Sequence, residues 1–216
     1  SLREIQNAFD KPYEELYRDY QIYGGLPYIF SLSSDTQKEE YLKNLFNETY
    51  LIDVIERNNV RNTADLEKLT AVLASSVGSF KSKLNSSYSR EAIANHLEYL
   101  KEAFIISEAN RYDIKGRKYI GSNSKYYYTD IGLRNAKLNF RQYEPTHIME
   151  NIIYNHLNML GYNIDVGIVE VNEKKGSSYQ KKQLEVDFIV NKGDVKFYIQ
   201  SAYRMESEEK KNQEKS

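Results

Sequence analysis

Four residues in the last third of the chain have types and spacing suited to metal-assisted hydrolysis of a phosphodiester. Glu150 lies in a helix-like stretch. Glu185 and Asp187 lie in the strand-like run Gln-Leu-Glu-Val-Asp-Phe-Ile-Val at 183–190, and Gln200 lies in the next such run, 196–203. Cutting a phosphodiester calls for a metal ion that polarises the phosphate and lowers the pKa of an attacking water. Mg²⁺ takes hard oxygen ligands, often one or two carboxylates plus waters. Residues i and i+2 of a strand share a face. Glu185 and Asp187 are therefore expected to point one way, with Leu184, Val186, Phe188 and Val190 turned into the core. A hairpin of the two strands would set Asp187 beside Gln200. Glu150 on a packed helix would complete the group, with Asp187 and Glu150 as the candidate metal ligands.

Helix glutamate, strand aspartate, then Glu/Gln-x-Lys on the neighbouring strand is similar to the metal-site layout of restriction-endonuclease-like nucleases. Here the lysine position holds Ala202. Gln200 offers an amide oxygen but no charge, so the pull on Mg²⁺ falls. Lys196 is four residues away on the same strand face, about 13 Å at strand rise. A lysine from the loop expected at 174–182, which carries Lys174, Lys175, Lys181 and Lys182, could stand in. The favoured reading is a degenerate nuclease-like module. Its alternatives are a Mg²⁺-dependent nuclease and plain strand alternation with outward acids.

The elements that must position these residues follow from periodicity. Residues 36–58 read as one amphipathic helix with Leu42, Leu45, Phe46, Thr49, Ile52 and Ile55 on its stripe, capped by Ser34 or Asp35. Asn62 or Thr63 caps a helix over 64–76, and Ser89 caps another over 90–102 that buries Ile93, Leu97 and Leu100. Strand-like residues follow at 104–112, 117–120 and 125–129, with a turn at Lys115-Gly116. Two helices and a hairpin in this order match a winged helix-turn-helix. A helix over 146–160 is stopped by Gly161, and strand-like runs follow at 162–171, 183–190 and 195–203. The expected class is α+β. A helical segment at 1–60 is followed by a winged-helix-like module at 61–144 and a small restriction-endonuclease-like α/β module at 145–216.

A winged helix raises the question of DNA. A recognition helix needs long polar side chains for base edges and cations for phosphates. Arg90 and Asn95 are candidates, but Glu91, Glu98 and Glu102 make the helix acidic. The wing is better suited, with Arg111, Lys115, Arg117, Lys118 and Lys125 against Asp113. The net charge of the whole chain is −1, which argues against a broad cationic coat. The apolar fraction of 40% supports a real core. With no cysteine there is no thiolate metal site, and three scattered histidines make no imidazole one. No membrane span or leader is visible, so the cytoplasm is the expected compartment. No G-x-x-x-x-G-K-[ST] occurs, so no P-loop lies in these residues.

Six ordered pieces carry a resemblance over nearly the whole chain. They are Tyr-Gly-Gly-Leu-Pro (23–27), the helix 41–57 ending Leu-Ile-Asp-Val-Ile-Glu-Arg, and Leu-Glu-Tyr-Leu-Lys-Glu-Ala-Phe-Ile-Ile (97–106). The others are Lys-Tyr-Tyr-Tyr-Thr-Asp-Ile-Gly-Leu-Arg-Asn-Ala (125–136), Met-Glu-Asn-Ile-Ile-Tyr (149–154), and Glu-Val-Asp-Phe-Ile-Val followed by Tyr-Ile-Gln-Ser-Ala-Tyr. In these the chain resembles the C-terminal region, of unknown function, of a bacterial and archaeal family of AAA-type P-loop ATPases. The resemblance implies an ATPase domain upstream of Ser1, which would hold the ATP and Mg²⁺. It implies that the Gln-x-Ala ending is a family trait and that residue 216 falls short of a further strand. The expected role is a non-catalytic accessory region, needing no cofactor of its own, that couples its ATPase to double-stranded DNA or to a protein partner. A pure protein-interaction domain is the third reading.

Overall fold

A computed structural model describes residues 2–78, 89–175 and 178–202. The first part is helical: α1 (Leu2–Ala8), α2 (Tyr13–Tyr23), a 3₁₀ turn (Pro27–Ser31), α3 (Asp35–Asn44), α4 (Ile52–Arg57) and α5 (Thr63–Ser75). After α6 (Arg90–Glu102) come β1 (Ile106–Asp113), β2 (Lys118–Tyr128), α7 (Ile131–Lys137) and α8 (Pro145–Met159). The chain then forms β3 (Asn163–Lys175), β4 (Ser178–Lys192) and β5 (Val195–Ile199). The fold is mixed α+β. Caps expected from sequence are present: Ser34, Asn62 and Ser89 each accept a backbone N–H in the first turn of α3, α5 and α6.

All five strands lie in one sheet, in the order β2-β1-β3-β4-β5. The β1–β2 hairpin is antiparallel, and β1 pairs in parallel with β3, Asn110 opposite Asp165 and Tyr112 opposite Gly167. The sheet therefore runs across the boundary expected between residues 144 and 145. The helices pack on it around Leu16, Ile29, Leu42, Leu66, Leu97 and Leu100, all fully buried.

Three local expectations are corrected. The single helix over 36–58 is interrupted by a π segment, Leu45–Leu51. Its wider turn shifts the buried positions to Leu42, Phe46, Leu51 and Val54, and leaves Thr49 and Ile52 exposed. In the lysine-bearing stretch, residues 174–175 and 178–182 are no loop but the end of a long β3–β4 ladder, in which Val171 opposes Lys182 and Asn172 opposes Lys181. There Lys181 and Lys182 pair with Glu170 and Glu173. Finally, the β3–β4 register shifts between Asp165 and Gly167, which oppose Ile189 and Val186. The extra residue is a β-bulge in β4 at Asp187–Phe188, and a one-residue bulge reverses the side-chain alternation beyond it. Leu184 is consequently 42% exposed, whereas Phe188, Ile189 and Val190 are buried.

Candidate functional site

The bulge sits where the candidate residues meet. Asp187, 8% exposed, accepts two hydrogen bonds on Oδ2, from the Ser201 N–H at 2.8 Å and the Ser201 hydroxyl at 2.6 Å. Its own N–H donates to the Gln200 amide oxygen at 3.4 Å, so Asp187 and Gln200 lie side by side. Ala202 follows and carries no charge.

Glu150 approaches from α8. That helix is clipped to β2 by Asn151, whose amide oxygen accepts the Tyr128 N–H and whose amide NH₂ donates to the Tyr128 carbonyl. Asn155 donates to the carbonyls of Tyr128 and Thr129. Tyr154 stacks on Tyr127 at 4.3 Å between ring centres. These bonds satisfy buried backbone groups that would otherwise destabilise the junction. They explain why a helix with so polar an inner face packs at all. They also place Glu150, 6% exposed, above the sheet.

The positive charge missing at Ala202 arrives from β2. Lys125, 3% exposed, places Nζ 3.0 Å from Glu150 Oε1 and 2.5 Å from Glu185 Oε1. The Tyr127 hydroxyl donates to the same Glu150 oxygen at 2.7 Å. Gly78 closes the group from above: it holds φ +69°, and a Cβ there would lie 2.7 Å from Glu150 Oε1. Burial pushes the Glu150 carboxyl above its usual range, with Lys125 and the Tyr127 hydroxyl opposing and the Asp187 charge adding to the rise. Burial would push the Lys125 amine down, but Glu150 and Glu185 outweigh it and raise it above its ordinary value. Burial likewise drives Tyr127 well up, so it stays a neutral donor.

This arrangement does not fit a bound Mg²⁺ as it stands. A cation bridging Glu150 and Glu185 would need the place that the Lys125 ammonium takes, and Asp187 Oδ2 is engaged by Ser201. Among the described residues, no group of three or more His, Cys, Asp or Glu is placed to hold a metal ion. What the cluster does chemically is neutralise: one ammonium and one phenol compensate the buried Glu150 and the part-buried Glu185.

Of the residues expected to contact DNA, Arg90, Asn95, Lys115, Arg117 and Lys118 are exposed. Arg111 is buried and donates to Gln183 across the sheet at 3.2 Å. Lys125 is enclosed as described. These two are not placed to meet a phosphate backbone. Sequence reasoning missed Lys125 and Tyr127 as members of the carboxylate group. Their only signal was a lysine and an aromatic within one strand-like run.

A second polar node was also missed. Asp130 accepts the N–H groups of Gly132 and Leu133, capping α7, and that of Gly25 at 2.7 Å. Arg134, fully buried, donates to the carbonyls of Ala74 and Gln142, and Asn135 donates to those of Gln21 and Ile22. Tyr-Gly-Gly-Leu-Pro and Thr-Asp-Ile-Gly-Leu-Arg-Asn-Ala are thus two halves of one joint.

Residues 14–144 match a sequence family described as Domain of unknown function (DUF8612). An uncharacterized protein of Haemophilus influenzae is 30% identical over 201 residues, which are 89% of this chain and 47% of that protein. An uncharacterized protein of Methanocaldococcus jannaschii is 28% identical over 203 residues, 90% of this chain and 43% of that protein. The chain spans about half the length of the curated relatives it matches. No solved structure matches it. No helix among the described residues is long and apolar enough to cross a membrane.

Proposed function

The chain belongs to the family of unknown function DUF8612, and from that premise we propose that it is a non-catalytic accessory region of a longer, ATP-driven protein. In this reading it works in the cytoplasm beside an AAA-type ATPase domain outside these 216 residues and couples it to a DNA or protein partner. The observation that carries the non-catalytic part is the Lys125 ammonium seated between Glu150 and Glu185. A carboxylate pair closed by an internal cation has no open position for a metal-bound water. The relatives support the setting, because less than half of each is matched here. The order α5, α6, β1, β2 supports a winged-helix origin for 61–144. The helix glutamate beside the β4–β5 hairpin supports a restriction-endonuclease-like origin for 145–216.

A Mg²⁺-dependent nuclease is the second reading. Lys125 favours it, since it brings an amine into the carboxylate group despite Ala202. A cleavage assay on the full-length protein with Mg²⁺ or Mn²⁺, comparing wild type with Asp187→Ala, separates the two. The accessory reading expects intact DNA from both. Cleavage by the wild type that disappears in Asp187→Ala would install the nuclease instead.

A further inference from the structure

The sheet face opposite the Lys125 cluster carries side chains that the accessory reading has not used. Ladder partners share a face. Tyr119 on β2 opposes Tyr112 on β1, which opposes Gly167 on β3, which opposes Val186 on β4. On β5, Tyr198 opposes Ile189, which opposes Asp165. At one end of this face Tyr128 and Ile106 are buried under the helices, but Tyr119 is 64% and Tyr198 55% exposed.

The exposed end is organised. Tyr112 and Tyr119 meet edge to face, with centres 5.4 Å apart. The Lys196 ammonium lies 5.3 Å from the centre of the Tyr112 ring and 5.9 Å from that of Tyr198, tying the two sides together by cation–π contacts. Gly167 keeps the floor between them low. A Cβ there would come within 2.9 Å of Ile114 Cδ1 and Val186 Cβ. Beside Tyr119 opens a pocket of about 500 Å³ whose polar lining is Asn110, Asn158, Asn163, Asn191 and the acids Asp165 and Glu108. Exposed Lys115, Arg117 and Lys118 edge the face at the β1–β2 turn. The acids nearby are largely engaged: Asp165 accepts the Tyr119 hydroxyl, Asp113 accepts the Gly116 N–H, and Glu108 pairs with Lys101 and accepts the Tyr126 hydroxyl. Asp194 stands at the β4–β5 turn.

Exposed rings, cations between and around them, and a pocket of amides are what unpaired bases require. Rings stack on base faces, amides bond base edges, and cations meet phosphates. A duplex hides its base faces from such a surface. We infer that this open sheet face binds a single-stranded nucleic acid, with bases on Tyr119 and Tyr198, phosphates at Lys196, Arg117 and Lys118, and one base edge turned into the asparagine pocket. The inference names a partner class for the accessory reading and rests on it only in expecting the strand to stay uncut.

The test is fluorescence anisotropy of the whole protein with labelled single strands of about 12 nucleotides, one DNA and one RNA, each against its duplex as competitor. Binding is expected to weaken steeply with salt, with the duplex competing poorly. Tyr119→Ala with Tyr198→Ala should lower affinity by tenfold or more, while Tyr198→Phe, which keeps the ring face, should retain it. Both tyrosines are exposed, and an unchanged thermal midpoint confirms that the variants fold. The DNA and RNA arms show which sugar is preferred; binding of either strand supports the surface. Failure to bind both strands, equal binding by the double alanine variant, or equal affinity for duplex overturns it. Strands bound but then cut in Mg²⁺ would leave the surface standing and overturn the accessory reading. Strands neither bound nor cut would do the reverse.

Discussion

Burial and charge pull in opposite directions on the Lys125 amine. Burial alone would lower its pKa; Glu150 and Glu185 outweigh that and raise it above its ordinary value of 10.5. Its contribution to stability is therefore complete below that value and is lost as pH rises through its raised one. Glu150 behaves differently. Its raised carboxyl favours folding at pH below its usual 4.5, and that favour fades as pH rises. The cluster should accordingly resist acid and loosen in alkali. Lys125→Met removes the cation and leaves the buried Glu150 carboxylate without its ion-pair partner, so about 3–5 kcal/mol of stability should be lost near neutrality. Urea denaturation is the measurement; a loss below about 0.5 kcal/mol would place the variant among neutral surface changes and refute the structural role. The difference between wild type and variant should shrink above pH 10.5. At this scale the sequence showed Glu150, Glu185, Asp187 and Gln200 as a group, because strand spacing and a helix stripe are local signals. It did not show Lys125 among them. Nothing local says that a lysine in a hairpin points inward, and its charge read most simply as a phosphate contact.

Elements were legible where one segment decides its own shape. Ser34, Asn62 and Ser89 cap helices because a side-chain oxygen and an orphan N–H three residues on suffice. The π segment at Leu45–Leu51 and the bulge at Asp187–Phe188 were not legible, since each is settled by what lies across from it. An unbroken α-helix would have buried Thr49 and exposed Leu51. An unbulged strand would have put Phe188 on the face opposite Glu185. The joint between α2 and α7 is likewise a matter of two distant pieces. Asp130 serves both, capping α7 with one oxygen and holding Gly25 with the other. Its carboxyl is raised by burial, against the pull of those three N–H groups. Asp130→Asn can keep the cap but must turn an NH₂ toward the Gly25 N–H. One buried donor then lacks an acceptor, at about 1–3 kcal/mol. A drop in thermal midpoint is expected in Asp130→Asn; a midpoint equal to wild type would mean that Gly25 is not held this way.

For the molecule as a whole, the decisive fact is the parallel pairing of β1 with β3. The sequence suggested a winged hairpin and a separate α/β module, because hairpins announce themselves by their turns while parallel partners far apart in the chain leave no local mark. The pairing joins the two regions through backbone hydrogen bonds, and the side chains reinforce it. Tyr127 from β2 packs against Tyr154 of α8 and Phe188 of β4, and Asn151 bonds the backbone of Tyr128. Separating residues 1–144 from the rest would strip β1 of a partner strand and expose Tyr127, which is fully buried. Edge backbone and large apolar surface cannot both be left to water without loss of order. The described regions should therefore unfold as one cooperative unit. Scanning calorimetry should give a single transition with calorimetric and van't Hoff enthalpies in agreement. Residues 1–144 prepared alone should lack that transition. Two separate transitions in the whole chain, or a sharp one in the shorter piece, would show that the sheet is a contact between independent modules and not a shared core.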